Sequence, residues 1–469
     1  MKFLICLIIS FLSIDGLFSQ EISSTWQGAL NVQGTKLDIV FHIEKQNYGY
    51  KSLMDSPTQG VYGIPSTKTT FENNNVEIIL SNLGVFYQGK LVSNSISGTF
   101  NQNGIPFPLV LKRTESKRPS RIQEPKEPFP YDVENIKFKN NLQKIELAAT
   151  LTLPKQKRKS PAVILIAGSG PNDRDETIFN HKPFWILADY LTRNGIAVLR
   201  YDKRGIGESG GEYFTATTQD FAEDVEAAIE YLKTRKEIDA SQIGLIGHSE
   251  GGVIAPMVAS NNKDVSFVVL MAGLGITGSE LSLSQNQFAF DKTLLSDSDK
   301  EDLAQNIKNI YASVLTWEEY VGTETERDEL KQKLSELWQL LPSEITSIVS
   351  KESFIAKTTA NIATPWFRSF LKIDPQQYLQ KLTIPILAIN GENDTQVDSQ
   401  RNLEVIEDAL KKGNNKSYTI KSYPQLNHLF QESVTGEIDE YGKIEQTISP
   451  EVLSDITSWI LSTVKKYNW

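Results

Sequence analysis

Across residues 26–113 apolar and polar positions alternate in short runs, Leu37-Ile39-Phe41-Ile43, Val76-Ile78-Leu80 and Phe107-Leu109-Leu111, divided by Gly, Asn and Ser. A period of two punctuated by turn formers predicts a small antiparallel all-β domain, set here at residues 20–117. Charged residues and Pro119, Pro125, Pro128 and Pro130 follow. Proline removes a backbone donor and fixes φ, so residues 118–130 are expected to be a linker. From residue 131 the rhythm changes to strand and helix in turn. Buried-strand runs fall at 162–167, 196–201, 243–246 and 265–271, with amphipathic helices at 183–193, 220–234 and from 249. On the helix at 220–234, Phe221, Val225, Ala228 and Leu232 share one face. Such alternation predicts a mostly parallel sheet with helices on both faces, an α/β domain over residues 131–469. For about a hundred residues after Gly275 the pattern is mainly helical, at 296–314, 325–341 and 375–381, before strands resume at 384–389 and 418–423. The interruption is expected to be a helical cap, about residues 276–382, inserted into the sheet domain.

Composition narrows the function. The 469 residues are 39% hydrophobic and 23% charged, as in a globular protein, and the formal net charge is −10. Clustered Lys and Arg are needed to displace counterions from nucleic acid, so a nucleic-acid partner is dropped. The local basic run at 155–159 is expected to be a solvated hairpin loop. Lys2, the apolar run at 3–12 and the small residues Ser13, Gly16 and Ser19 have the layout of a secretory signal, expected at residues 1–19, with a secreted or periplasmic product. The run is short for a membrane span, and no stable insertion is expected after cleavage. Cys6, the single cysteine, lies inside it, so the mature chain has no disulfide, thiolate metal site or cysteine nucleophile. No cofactor and no metal are expected.

Gly247-His248-Ser249-Glu250-Gly251 follows a strand and opens a helix, the setting of the G-x-S-x-G nucleophile elbow of the α/β-hydrolase fold. A serine hydroxyl needs a base, and the base needs a carboxylate to fix its tautomer, in the chain order Ser, Asp or Glu, His. Of the four histidines only His428 lies downstream. The carboxylate is expected to be Asp394, in the loop after the strand at 384–389, with Glu392 as competitor. Oxyanion donors are expected from the backbone N–H of Glu250 and of Ser169, with Gly168 as the alternative to Ser169. His42 is assigned a structural role, His248 should point away from Ser249, and His181 is expected at the surface rather than in the pocket. Gly205-Ile206-Gly207-Glu208-Ser209-Gly210 matches G-x-G-x-x-G, but no helix follows it at once, so it is taken as a turn and not a nucleotide loop.

Gly247-His248-Ser249-Glu250-Gly251-Gly252, Gly168-Ser169-Gly170-Pro171-Asn172-Asp173-Arg174-Asp175, Tyr201-Asp202-Lys203-Arg204-Gly205 and Gly391-Glu392-Asn393-Asp394-Thr395-Gln396-Val397 together resemble a bacterial α/β-hydrolase family of carboxylesterases related to the serine aminopeptidase group. Trp26-Gln27-Gly28 and Ser56-Pro57-Thr58-Gln59-Gly60 resemble the β module that precedes such domains. The resemblance implies hydrolysis of small-molecule esters with short acyl chains through an acyl-enzyme, with Ser249, Asp394 and His428 at the triad positions. Ala167 departs from the histidine that many hydrolases carry before the oxyanion glycine. Trp366, Phe367 and Phe370 form an aromatic wall over the acyl pocket by the same resemblance, or pack cap against core. Asp173, Arg174 and Asp175 are expected to fix the oxyanion loop by ion pairing, rather than to contact substrate. The alternatives are a peptidase or aminopeptidase using the same triad, and a non-catalytic protein whose β domain grips a glycan or partner.

Overall fold

The computed structural model describes residues 21–32, 35–59, 61–115, 121–317, 322–347 and 349–466. The expected signal segment lies outside them. The chain divides into two compact units, Met1–Arg118 and Pro119–Trp469.

In the first unit the two-residue alternation becomes strands β1 Ser24–Val32, β2 Thr35–Lys45, β3 Tyr50–Ser56, β4 Val61–Pro65, β5 Lys68–Glu72, β6 Asn75–Leu80, β7 Val85–Val92, β8 Ser95–Gln102 and β9 Ile105–Thr114. β1 pairs with both β2 and β9, and β2 with β3, which reaches β5 through Tyr50 and Thr69. Eight antiparallel strands therefore close into a barrel, with β4 on the same edge of β3 as β5. Along β7 every second residue is buried. Trp26, Phe41, Tyr87 and Phe100 fill the interior, as an eight-stranded barrel allows.

In the second unit the described residues form a sheet of eight strands: β10 Tyr131–Asn140, β11 Ile145–Pro154, β12 Ser160–Ile166, β13 Ala197–Tyr201, β14 Ile238–His248, β15 Val265–Met271, β16 Ile386–Gly391 and β17 Tyr418–Tyr423. Their order is β10-β11-β13-β12-β14-β15-β16-β17. The β10–β11 hairpin and the β11–β13 pair are antiparallel and every later pair is parallel. That hairpin was not among the elements expected from the sequence. Val163 and Leu165 of β12 pack under the helices Pro183–Arg193 and Pro450–Lys466, and Ala162, Ile164 and Ile166 under Thr218–Lys233, Gly251–Ala259 and Ser399–Lys412. Both faces are thus covered, as in the α/β-hydrolase fold. Strand order reverses beside β12, so the loops leaving β12 and β14 diverge and open a crevice at the carboxyl ends of the strands.

Between β15 and β16 the described residues contain seven helices: Gly278–Asp291, Asp297–Leu315, Glu324–Leu340, Ser343–Thr346, Lys351–Ile362, Pro365–Lys372 and Gln376–Leu379. Reciprocal capping boxes, Thr277 with Glu280 and Thr323 with Glu326, start two of them. Leu303, Ile310, Val314, Leu330 and Leu334 give this cap a core of its own. Upstream of β10, Arg121 donates to the carbonyls of Phe179, Asn180, Gly442 and Ile444, so this stretch is tied to the second unit.

Candidate active site

β14 ends at His248, and Ser249 turns sharply into the helix Gly251–Ala259 with φ 53°, in the left-handed region that side chains with a Cβ seldom adopt. Its N–H donates to the Met271 carbonyl at 2.9 Å, which pins the turn to β15. The flanking glycines are required by space. A Cβ on Gly247 would overlap the Gly251 carbonyl, and one on Gly251 the Ile166 carbonyl. The Ser249 hydroxyl is half-buried and makes no hydrogen bond among the described residues.

Asp394, after β16, and His428, after β17, are brought together. His428 Nδ1 lies 2.7 Å from Asp394 Oδ2. The other carboxylate oxygen accepts the N–H groups of Gln396 at 2.8 Å and Val397 at 2.9 Å. Because a carboxylate only accepts, Nδ1 carries the imidazole proton and Nε2 keeps its lone pair, the state a general base requires. Glu392, the competitor, is exposed and accepts instead from Ser422 Oγ at 2.7 Å. The His428 ring lies 4.8 Å from the His248 ring, next to the elbow.

The loop after β12 passes against the serine: a Cβ on Gly168 would stand 3.1 Å from Ser249 Cβ. The alternative donor Gly168 is corrected, because its N–H is spent on Glu176 Oε1 at 2.6 Å. Its carbonyl is fixed by Asn172 at 2.8 Å and Lys203 at 2.5 Å. The N–H groups of Ser169 and Glu250 make no hydrogen bond among the described residues, leaving two donors free beside Ser249.

Charge is concentrated below this surface. The Glu250 carboxylate, 1% exposed, accepts from Thr218 Oγ1 at 2.7 Å and from the indole of Trp366 at 2.8 Å, with Lys203 Nζ 3.5 Å away. Burial holds Lys203 below the ordinary lysine range, although Glu250 and Glu176 pull the other way. Trp366 thus links the cap to the residue after Ser249. It stacks on Phe370 at 5.3 Å, and Phe370 is buried with Val253 and Leu274 where cap meets sheet. Phe367 is corrected: it turns into the cap core, edge-on to Tyr311 at 5.7 Å, and so belongs to cap packing rather than to a pocket wall.

The glycine-rich stretch at 205–210 wraps an anion of its own. Asp202 accepts from Arg174 N at 2.8 Å, Nε at 3.0 Å and Nη2 at 2.7 Å, and from Glu208 N at 3.1 Å. A Cβ on Gly207, at φ 56°, would stand 2.5 Å from this carboxylate. Burial alone would raise the Asp202 pKa, but Arg174 and the backbone donors hold it below the usual range. Asp175 pairs with Arg200, so Arg174 and Asp175 brace the loop after β12 against β13 and the turn that follows it. His181 is corrected from surface to core. It is fully buried, bonded to Thr447 Oγ1 at 2.8 Å and the Tyr441 carbonyl at 2.9 Å, and its pKa is pushed down to about 4 by burial and the Arg121 charge. His42 bonds Asp55 at 2.6 Å within the barrel unit. Sequence reasoning missed Glu176 and Lys203; the visible signal was charge clustered in the loops that follow two strands, at 173–176 and 202–204. No group of three His, Cys, Asp or Glu among the described residues is placed to hold a metal, and no described helix is long and apolar enough to cross a membrane.

The family model described as serine aminopeptidase, S33, matches residues 184–433. Esterase EstD of Thermotoga maritima is 29% identical over 319 residues, 67% of this chain and 65% of that protein, so the chain spans just under two thirds of that relative's length. The structure of the Pyrococcus furiosus esterase Pf2001 aligns with a TM-score of 0.45 and 15% identity over 75% of this chain and 98% of that one. That of the hypothetical protein PA2218 from Pseudomonas aeruginosa aligns with a TM-score of 0.45 and 18% identity over 73% and 96%.

Proposed function

The chain belongs to the serine aminopeptidase S33 family, and from that premise we propose that it is a serine hydrolase that cleaves small carboxylic esters through an acyl-enzyme. The observation that carries this reading is the Asp394–His428 pair, with its Nδ1 proton fixed, beside a serine on a left-handed turn. Ser249 Oγ attacks the ester carbonyl while His428 Nε2 takes its proton. The oxyanion is met by the Ser169 and Glu250 N–H groups. Collapse expels the alcohol, which takes the proton from His428, and water attacks the acyl-serine by the same route to release the acid. The name of EstD supports an ester as substrate. The test is hydrolysis of short-chain aryl esters together with fluorophosphonate labelling. Ser249→Ala should abolish both, and equal ester turnover by the two proteins would sink the proposal.

One observation favours an aminopeptidase as the second reading. A cleft of about 630 Å³ beside the Asp394 loop is lined by Asp291 from the cap and by Glu392 and Asp398, three carboxylates against the single cation Arg401, a balance that suits a substrate ammonium group. Matched aminoacyl esters and amides separate the two, since comparable turnover of the amides would favour the peptidase. The apolar run at residues 3–12 supports export, to be checked by cell fractionation. Glycan contact by the barrel is to be checked by binding of the full chain to a glycan array.

A further inference from the structure

Two side chains that the triad does not use stand directly behind it. His248 is 6% exposed and Glu176 4% exposed. His248 Nδ1 lies 3.0 Å from Glu176 Oε1, and its Nε2 lies 3.0 Å from the carbonyl oxygen of His428. Carboxylate and carbonyl are both acceptors, so a neutral imidazole, with one N–H, satisfies only one of them. Little room is left for water. The space enclosed here by Phe184, Leu187, Met271, Leu429 and Phe430 is about 10 Å³, at the lower limit for a single molecule. The same Glu176 oxygen also accepts the Gly168 N–H at 2.6 Å.

We infer that Glu176 and His248 form a buried carboxylate–imidazolium clamp that positions three parts of the site at once. Glu176 holds the oxyanion loop through Gly168, His248 immediately precedes the nucleophile, and its ring holds the base by the His428 carbonyl. His248 is a positioning residue, since it touches neither substrate nor the reacting atoms. The groups facing the clamp are Glu176 itself, the His428 ring at 4.8 Å, the Asp394 charge beyond that ring, and Lys203, whose charge acts on Glu176. Burial opposes a charged His248, but the charge and hydrogen bond of Glu176, with the His428 carbonyl and Asp394, outweigh it and raise the His248 pKa.

The physical part of the clamp needs no substrate, and its catalytic consequence rests on the hydrolase reading. The decisive measurement is the ¹⁵N spectrum of full-length protein labelled in its histidine rings. Titrated beside the other ring signals, His248 should keep both ring nitrogens protonated to a higher pH than an ordinary histidine does, the signals disappearing in His248→Asn. If that variant does not fold, ring-to-backbone correlations assign the signals in the wild type. A His248 ring that loses its second proton at or below the ordinary histidine midpoint overturns the clamp. Glu176→Gln keeps the shape but not the charge. It should return the ring to one proton and lower kcat on the order of ten- to a hundredfold with KM nearly unchanged, with partial recovery in Glu176→Asp. A Glu176→Gln enzyme with wild-type kcat would also overturn it. A protein that hydrolyses nothing yet shows the doubly protonated ring refutes the hydrolase reading and leaves the clamp standing; an active enzyme with a singly protonated ring does the reverse.

Discussion

Asparagine at position 394 tests the proposed triad with little change in shape. Asp394 Oδ1 is fixed by the N–H groups of Gln396 and Val397, at 2.8 and 2.9 Å, and these demand an acceptor. The amide oxygen must stay there, so the amide nitrogen takes the Oδ2 position, 2.7 Å from His428 Nδ1. It can only donate, which forces the ring proton from Nδ1 to Nε2 and aims an N–H at Ser249 in place of a lone pair. A base in the wrong tautomer costs about 10⁴ in kcat, or roughly 5 kcal/mol of barrier. Stability should hardly move, because the backbone bonds survive and one charged hydrogen bond becomes a neutral one, worth about 1 kcal/mol. Asp394→Ala is the contrast. It leaves both backbone donors unpaired in a buried site, at about 1–3 kcal/mol each, and should lose stability as well as activity. The assay is aryl-ester kcat and KM beside thermal unfolding for the three proteins. Asparagine enzyme within tenfold of wild-type kcat, or as unstable as the alanine enzyme, would refute the reasoning.

Trp366→Phe keeps the stack on Phe370 but removes the indole donor from Glu250, whose other oxygen makes no hydrogen bond. A bond to a charged group is worth about 1.5–3 kcal/mol, so the urea midpoint should fall at constant m; an unchanged midpoint would show that Lys203 takes over. Gly207→Ala puts a methyl 2.5 Å from Asp202 Oδ2 at positive φ and should destabilise by at least about 1 kcal/mol. NAD should leave the melting temperature of the wild type and this variant unchanged, and a rise would restore the nucleotide reading. His181 has a folded-state pKa of about 4, against about 6.5 when unfolded. The unfolded chain therefore takes up the proton first, and the stability present above pH 6.5 is lost as pH falls toward 4. The loss should reach about 3 kcal/mol at its limit, read as the difference between acid unfolding curves of wild type and His181→Asn; parallel curves would show that His181 does not titrate in this window.

The strand and helix alternation after residue 160 was legible because core-facing residues recur with a fixed period, as Phe221, Val225, Ala228 and Leu232 do. The β10–β11 hairpin was not: in β10 the apolar residues lie among Lys, Glu and Asn on a mostly exposed strand, and buried β11 mixes Leu and Ala with Thr, without a continuous apolar run. Barrel closure was equally hidden. It depends on β1 finding β9, a pairing of residues about ninety apart that no local pattern encodes. At the site, elimination among four histidines pointed to His428 and the strand end to Asp394, and the fold brings these two together. Glu176 and Lys203 escaped because a charged residue in a loop is read as solvated until the fold buries it. His181 was misplaced for the same reason. Phe367 and Trp366 are neighbours in sequence, and only the direction each leaves its helix separates cap packing from contact with Glu250.

The left-handed backbone of Ser249 has a consequence for how such a chain changes over generations. The conformation is one that glycine adopts freely and serine only under duress. Loss of the hydroxyl by Ser249→Gly would therefore be rewarded in folding even as it ended the proposed catalysis. Selection for robustness and selection for turnover pull in opposite directions at this one position. A descendant that no longer needs its chemistry has a downhill route to becoming a silent, sturdier copy of the same scaffold.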